Sequence, residues 1–405
     1  MPFRLALSGL NAAQADLTVT ANNIANTATA GFKGSRAEFA ELFSVSPQGV
    51  SSAAIGNGVR VSNVSQQFAQ GNIDFTDSSL DLALSGQGFF ILSDSGALAY
   101  TRAGAFQVDR NGYVVNSQNQ RLQAYPPTEN GSFNTGALSD VQLVTSESAP
   151  SATTEAELIL NLPGNAVPPT NGTFDPSDLN SYNHATSLTT YDSLGAAHTG
   201  TLYFVRGSGT NDWTTHLYMD GAPVGGPQTL TYSTTGALLT PSPGEINFGT
   251  HPSVTGAEDM SITFDFSRTT QYGDTFNVNA VTQDGYTTGR LIGIDIDSTG
   301  VVQARFTNGR SLALGQVAIA NFSNPQGLQQ LGDTMWAETF SSGQAVRGQA
   351  GNSGFGLIQS GALEASNVDI TEQLVNMITA QRNFQANAQM ISTADAITQT
   401  IINIR

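Results

Sequence analysis

The stretch from Asp369 to Arg405 constrains the chain most. Ile370, Leu374, Met377, Phe384, Ala388 and Ile391, with Gln381 in the gap, fall at alternating steps of four and three. That is the spacing of a coiled-coil seam. After Ile391 the phase slips to Ala394, Ile397, Ile401 and Ile404. Asp369 with Glu372 predicts a capping box at the start, and Arg405 suits the negative end of the helix dipole. At 1.5 Å per residue such a helix is roughly 54 Å long. Its flanks carry Gln373, Asn376, Asn383, Gln385, Asn387, Gln389, Gln399 and Asn403, with Arg382 and Asp395 as interior charges. Amide and alanine faces bury without stranding a charge. The expectation is a helix meant to sit inside a larger assembly rather than one bathed in solvent.

The opposite end repeats the pattern. Phe3, Leu7, Leu10, Gln14, Leu17, Ala21 and Ile24 alternate by four and three, and Pro2 suits a first helical turn. The economical expectation is that the two ends pair with each other. With Arg4 and Asp16 as its charges, the N-terminal helix has little electrostatic attraction to lipid. No run reaches the ~18 apolar residues of a membrane span. The N-terminal stretch also lacks an apolar core followed by a cleavage site, which fits either a cytosolic chain or one exported by a route that needs no cleavable signal.

Charged residues make up 12% of the chain, about half the usual share, and 42 glycines accompany them. The net charge is −17, and between Asp140 and Gly300 there are 17 acidic residues against Arg206, Arg268 and Arg290. An acidic middle third argues against nucleic acid as partner. There is no cysteine, which excludes thiol catalysis, disulfides and cysteine metal sites. The four histidines, His184, His198, His216 and His251, show no metal spacing and no nucleophile elbow. No catalytic, cofactor or metal site is therefore expected.

Between the ends the chain reads as β. Gly31 is expected to end the first helix, and residues 35–70 read as an extended connector containing a short strand at 59–64. Asp81–Leu92 and Tyr100–Asn116 read as hairpins, with Asp109-Arg110-Asn111-Gly112 as a turn. Gly86-x-Gly88 lacks the third glycine and following helix of a phosphate loop and reads as a tight turn. Asp295 to Ser298 lacks the later glycine and bidentate glutamate of a calcium loop. From about 146 to 284, strands such as 155–162, 199–206, 213–220 and 260–267 alternate with turn residues, which predicts a β-sandwich or barrel.

Several strings carry a resemblance. Asn22, Asn23, Ala25, Asn26, Thr29, Gly31, Phe32 and Lys33, quoted together, resemble the N-terminal signature of the bacterial flagellar axial proteins: rod, hook and hook-associated subunits. Gly86, Gly88, Phe89 and Phe90, in DLALSGQGFFIL, resemble the inner β-domain of that family. Gln283, Asp284, Gly285 and Tyr286 resemble its hook members. Gly361 to Asp369, including Ser366, Asn367 and Val368, also matches. Chain length fits the hook type better than the shorter distal rod or the longer hook-associated proteins.

The resemblance implies a mainly β, nested protein with a terminal α-helical coiled coil. Its parts would be a terminal helical core (1–30 and 366–405), an extended connector (31–70 and 330–365), an inner β-domain (71–145 and 285–329) and an outer β-domain inserted at 146–284. It implies a structural subunit polymerising into a curved tube that joins rod to filament. The assembly seam would be Phe3, Leu7, Leu10, Leu17, Ala21, Ile24, Ile370, Leu374, Met377, Phe384, Ala388 and Ile391. Implied partners are further copies of the chain, rod, hook-cap and hook–filament junction proteins, and the type III export apparatus. The rival from another class is an extracellular β-rich adhesin or fibre, which would leave the paired terminal heptads unexplained.

Overall fold

The computed structural model describes residues 2–42, 56–128, 130–143, 147–253 and 256–403. The chain divides into two compact units, one formed by residues 1–145, 293–305 and 311–405, the other by 146–292 and 306–310. The first contains two helices, α1 (Pro2–Ala25) and α2 (Ile370–Asn403). The rest of the regular structure is β, apart from a short 3-10 turn at Pro325–Gly327.

In the first unit an antiparallel sheet runs in the order Ser311–Val317, Arg121–Tyr125, Phe89–Asp94, Ala97–Thr101, Met335–Ala337, Gln329–Gly332. Its central strand, Phe89–Asp94, is buried on both faces over Phe89 to Leu92. Phe90 and Leu92 join a cluster with Leu82, Phe106, Val302 and Ile358. Phe89 and Ile91 face a second cluster with Tyr100, Tyr125, Phe322 and Trp336. This explains why FFIL is a continuous apolar run rather than an alternating one. Edge-to-face contacts of Phe89 with Phe322 (5.8 Å) and Trp336 (5.6 Å) fill the second cluster. The returning chain is zipped to the outgoing one by Leu357–Ser360 on Leu82–Ser85 and Ala362–Glu364 on Ile73–Phe75.

Two segments differ from their sequence reading. Ser35–Glu41 and Val59–Gln66 pair antiparallel and pack on α1, where a Cβ on Gly58 would collide with Ser8 Oγ. Residues 330–365 are mostly not connector: Met335, Trp336 and Ile358 lie in the β-domain core. The glycine and serine content there supplies tight turns between short strands, and short strands carry little periodic signal.

The second unit has two five-stranded sheets. One is an antiparallel meander of His184–Tyr191, Ala197–Arg206, Asp212–Met219, Ala222–Tyr232 and Leu238–Thr240. In the other, Glu155–Pro163 lies antiparallel to Asn277–Gln283 and parallel to Met260–Asp265 and Thr270–Tyr272, with Glu245–His251 outside Met260–Asp265. Strict alternation in Asp212–Met219 turns Trp213, Thr215, Leu217 and Met219 inward. They meet Leu158, Leu160, Phe264 and Phe266 of the other sheet in one core. No described helix is long and apolar enough to cross a membrane, and the described residues contain no metal-binding cluster of His, Asp and Glu.

Candidate assembly site

The terminal helices pair, and they do so antiparallel. A Cβ on Gly9 would lie 2.5 Å from Asn387 Oδ1, while Asn23 Nδ2 donates to Gln373 Oε1 at 3.1 Å. These two contacts stand fourteen residues apart on each helix, which is two heptads of an antiparallel pair.

The buried stripe on α1 is not the large apolar one. Ala6, Ala13 and Thr20, seven residues apart, are buried together with Asn23. Phe3 (52% exposed) and Leu7 (42%) face solvent, as do Gln14 and Ala21, while Leu10, Leu17 and Ile24 are half-buried. On α2, Ala380 is fully buried, and Met377, Phe384, Ala388 and Ile391 are half-buried. Ile370, Leu374 and Gln381 are exposed. Ile404 and Arg405 lie outside the described residues. The pairing face is thus turned from the expected seam. Small residues admit a close approach of the two backbones, and the large side chains are left on the flank. The seven-residue repeat Ala6–Ala13–Thr20 is the sequence signal of this face, and the larger apolar residues beside it mask it.

A second apolar stripe on α2 has no partner within the unit. Val375 (59% exposed), Ile378, Met390 and Ile397 are all exposed. At ~100° per residue Val375 and Ile378 lie on the side of the helix away from Ala380, and Met390 and Ile397 lie on the adjoining flank. Asp369 caps α2 by accepting the Thr371 and Glu372 N–H groups at 2.7 and 3.2 Å. Glu372 makes no return bond among the described residues, so the cap is single-sided.

Below the helices lies a buried ionic knot. Lys33, the one lysine of the chain, donates from Nζ to Glu364 Oε1 (2.6 Å) and to the Ala69 carbonyl (2.8 Å), with both charged side chains fully buried. Glu364 Oε1 also accepts the Gly71 N–H at 2.9 Å, and Glu364 Oε2 accepts Arg102 Nη1 at 3.1 Å. Arg102 Nη2 donates to the Gly86 carbonyl at 2.7 Å, and its guanidinium lies 5.5 Å from the Phe89 ring centroid. Burial pushes the Lys33 ammonium below its ordinary range, against the opposing pull of Glu364. One carboxylate therefore gathers four segments of chain that are far apart in sequence. A buried pair of this kind is weak evidence of net stability; its physical use is to define one register.

The motif residues around the knot have assigned work. Asn23 bonds both N–H and carbonyl of Ser35, at 2.8 and 2.7 Å. Asn26 Nδ2 donates to Asn22 Oδ1 at 2.7 Å and Asn26 Oδ1 accepts Thr29 Oγ1, so the asparagines form the turn in which α1 ends at exposed Ala25. Gly31 comes six residues later than the helix end. Its φ of +69° and the Ala103 N only 2.4 Å from a would-be Cβ explain the glycine. Its N–H donates to the Glu364 carbonyl at 2.7 Å. Asn367 Oδ1 accepts Gly34 N–H at 2.8 Å, and its Nδ2 donates to the Gln67 and Ala69 carbonyls. Half-buried Phe32 offers its carbonyl to the Asn367 N–H. Ser366 Oγ accepts the Val368 N–H, and the Val368 methyl closes on Gly34.

In the second unit Gln283 to Tyr286 clamps two passing segments. Gln283 Oε1 accepts Thr153 Oγ1 and Gly285 N–H. Asp284 accepts Thr154 and Glu155 N–H groups and Thr154 Oγ1. Burial raises the Asp284 carboxyl, but these bonds outweigh it and hold it below the usual carboxylate range. Tyr286 bridges Ser151, and Arg310 stacks on its ring at 4.6 Å.

Four family models match in tandem. They are the flagella basal body rod protein (residues 3–33), the flagellar hook protein FlgE/F/G D1 domain (83–158), the flagellar basal body protein FlaE D2 domain (161–286) and the flagellar basal body rod FlgEFG protein C-terminal region (359–404). They define the class: a flagellar axial protein, held together where its two ends meet. Full-length relatives narrow it. The chain is 39% identical to the flagellar hook protein FlgE of Salmonella typhimurium and to that of Escherichia coli K12, covering 100% of both chains in each case. It is 32% identical to that of Borreliella burgdorferi over 98% of each chain. The chain therefore belongs to the flagellar hook protein FlgE family and is a structural subunit of the hook. The fold is similar to a crystal structure of Helicobacter pylori flagellar hook protein FlgE2, with TM-score 0.55 and 14% identity over 72% of this chain and 100% of that one.

Proposed function

We propose that this subunit polymerises with copies of itself through the terminal helices into a curved, flexible tube that joins rod to filament and transmits motor torque. The observation that carries the reading is the unpartnered apolar stripe of α2, beside the exposed Phe3 and Leu7 of α1. A helix pair that already has one seam and still exposes a second stripe is built to be covered again. The copies cover one another, which fits self-association within the flagellar axis.

In this reading the residues named as seam and as family motif divide the labour. Small residues, with the half-buried Met377, Phe384 and Ile391, hold α1 to α2; the exposed large ones meet neighbouring copies, and Lys33, Asn23 and Asn367 fix the junction below. The nested order of helical core, two-stranded connector, inner β-domain and outer β-domain follows the chain out and back. The acidic second unit suits weak lateral contacts that adjust as the tube bends. Rod, hook-cap and junction proteins would bind at the ends of the tube. Delivery would be through the type III export apparatus to the cell exterior, without a cleaved signal. Deleting residues 2–25 tests the reading: electron microscopy should show no tubes while both β-rich units still melt cooperatively. Tubes from the deleted protein would overturn it.

A further inference from the structure

The second unit contains a histidine whose surroundings no structural role of the hook explains. His198, in Ala197–Arg206, has both ring nitrogens against carboxylates. Nδ1 lies 2.6 Å from Asp220 Oδ2 and Nε2 lies 3.4 Å from Asp192 Oδ2. Asp192 sits in the turn before the strand and is fully buried; its Oδ1 accepts the Leu194 and Ala196 N–H groups. Asp220 sits at the turn after Asp212–Met219, with φ of +49°, and its Oδ1 accepts the Thr199 N–H. A neutral imidazole has one N–H and one lone pair. Neutral His198 could therefore serve one carboxylate only, and its lone pair would face the other. The imidazolium, with two N–H donors, satisfies both.

We propose that His198 is a proton-operated clasp: as imidazolium it ties the 192–196 turn to the 220–221 turn, and loss of its proton releases Asp192. The shorter bond to Asp220 selects the neutral form, in which the proton remaining is on Nδ1 and the one lost leaves from Nε2 to solvent. The hydrogen bond the ring donates to Asp220, followed by the one it donates to Asp192, holds it above the ordinary histidine value against the opposing effect of burial. The groups facing it are Asp192, Asp220 and His251, whose ring approaches edge-on at 6.4 Å from the end of Glu245–His251. Glu258 reaches the same turn through its backbone N–H, which donates to Ser193 Oγ.

The sign follows. A raised folded-state value means that the clasp's contribution is complete below the unfolded value of about 6.5 and is lost as pH rises through the folded value. On the acid side, the Thr199 N–H and then His198 pull the Asp220 carboxyl down. That limb of the clasp persists until pH falls below the usual carboxylate range.

The test is histidine nitrogen and Cε1–H NMR on the full chain, which has four histidines to resolve. His198 should titrate above the ordinary histidine value, above His184 and His216, and end as the Nδ1–H tautomer. His184 and His216, which burial pushes down, should titrate below the ordinary value. Asp220→Asn should move the His198 titration downward, and it supplies the control if His198→Gln does not fold. In a Trp336→Phe background, Trp213 fluorescence should show a melting midpoint that falls with rising pH, and His198→Gln should flatten that slope. A His198 that titrates at or below the ordinary value, or a slope unchanged in both variants, overturns the clasp.

Discussion

The charge count of the buried knot predicts an unequal pair of mutants. Two cations, Lys33 and Arg102, share one carboxylate, Glu364. Glu364→Gln removes the anion, leaves both cations buried and sets an amide NH2 against one of them. Breaking a buried pair so that a charge is stranded costs about 3–5 kcal/mol. Lys33→Met is different: it leaves Arg102 and Glu364 as a neutral pair, and the Ala69 carbonyl that Lys33 served keeps the bond from Asn367 Nδ2. Losing one hydrogen bond of this kind costs about 0.5–1.5 kcal/mol. The smaller residue change should thus be the more damaging one. Urea unfolding reads it directly, because the two tryptophans divide between the units, Trp336 in the first and Trp213 in the second. In a Trp213→Phe background, Trp336 fluorescence reports the unit that contains the knot. With slopes of about 1–3 kcal/mol per molar urea, Glu364→Gln should lower the midpoint by about 1 M or more, and Lys33→Met by less. A Lys33→Met protein as unstable as Glu364→Gln would refute the charge count and leave Lys33 as the dominant anchor.

Other outcomes follow from the helix pair. Gly9→Val should force α1 and α2 apart, because even a Cβ meets Asn387 at 2.5 Å, at a cost of about 1–3 kcal/mol for overpacking. Trypsin cleavage at Arg382, inside α2, should then be faster, and Asn387→Ala should restore part of the protection. Burial raises the Asp16 carboxyl. The pair should therefore hold best below the ordinary aspartate value of about 3.8 and loosen as pH rises through the raised value. Asp16→Asn should remove that dependence, read as amide hydrogen exchange across residues 373–391.

The sequence carried the architecture at the level of periodicity. Heptads at both ends, alternation in 213–219 and the buried run FFIL each map onto an element of the expected type. Facing and partnership were harder to read. A heptad of alanines and a threonine is quiet beside Phe3, Leu7 and Leu10, so the buried stripe of α1 differs from the one that apolar size predicts. The strands of 329–364 run three or four residues each, too short to show a period of two, so that segment reads as linker in the sequence. Nothing local marks Glu364 and Arg102 as partners of Lys33. Their meeting depends on long-range pairing, Ala362–Glu364 on Ile73–Phe75, which no single window contains.

If other copies of the chain cover the face of α2 turned away from α1, Ile378→Lys should block assembly, because Ile378 is half exposed in the lone subunit and lies off the α1 contact. The variant should be an unchanged monomer by circular dichroism and urea unfolding, with no tubes by electron microscopy under conditions where the parent chain forms them. Tubes of normal yield and diameter from Ile378→Lys would contradict that coverage.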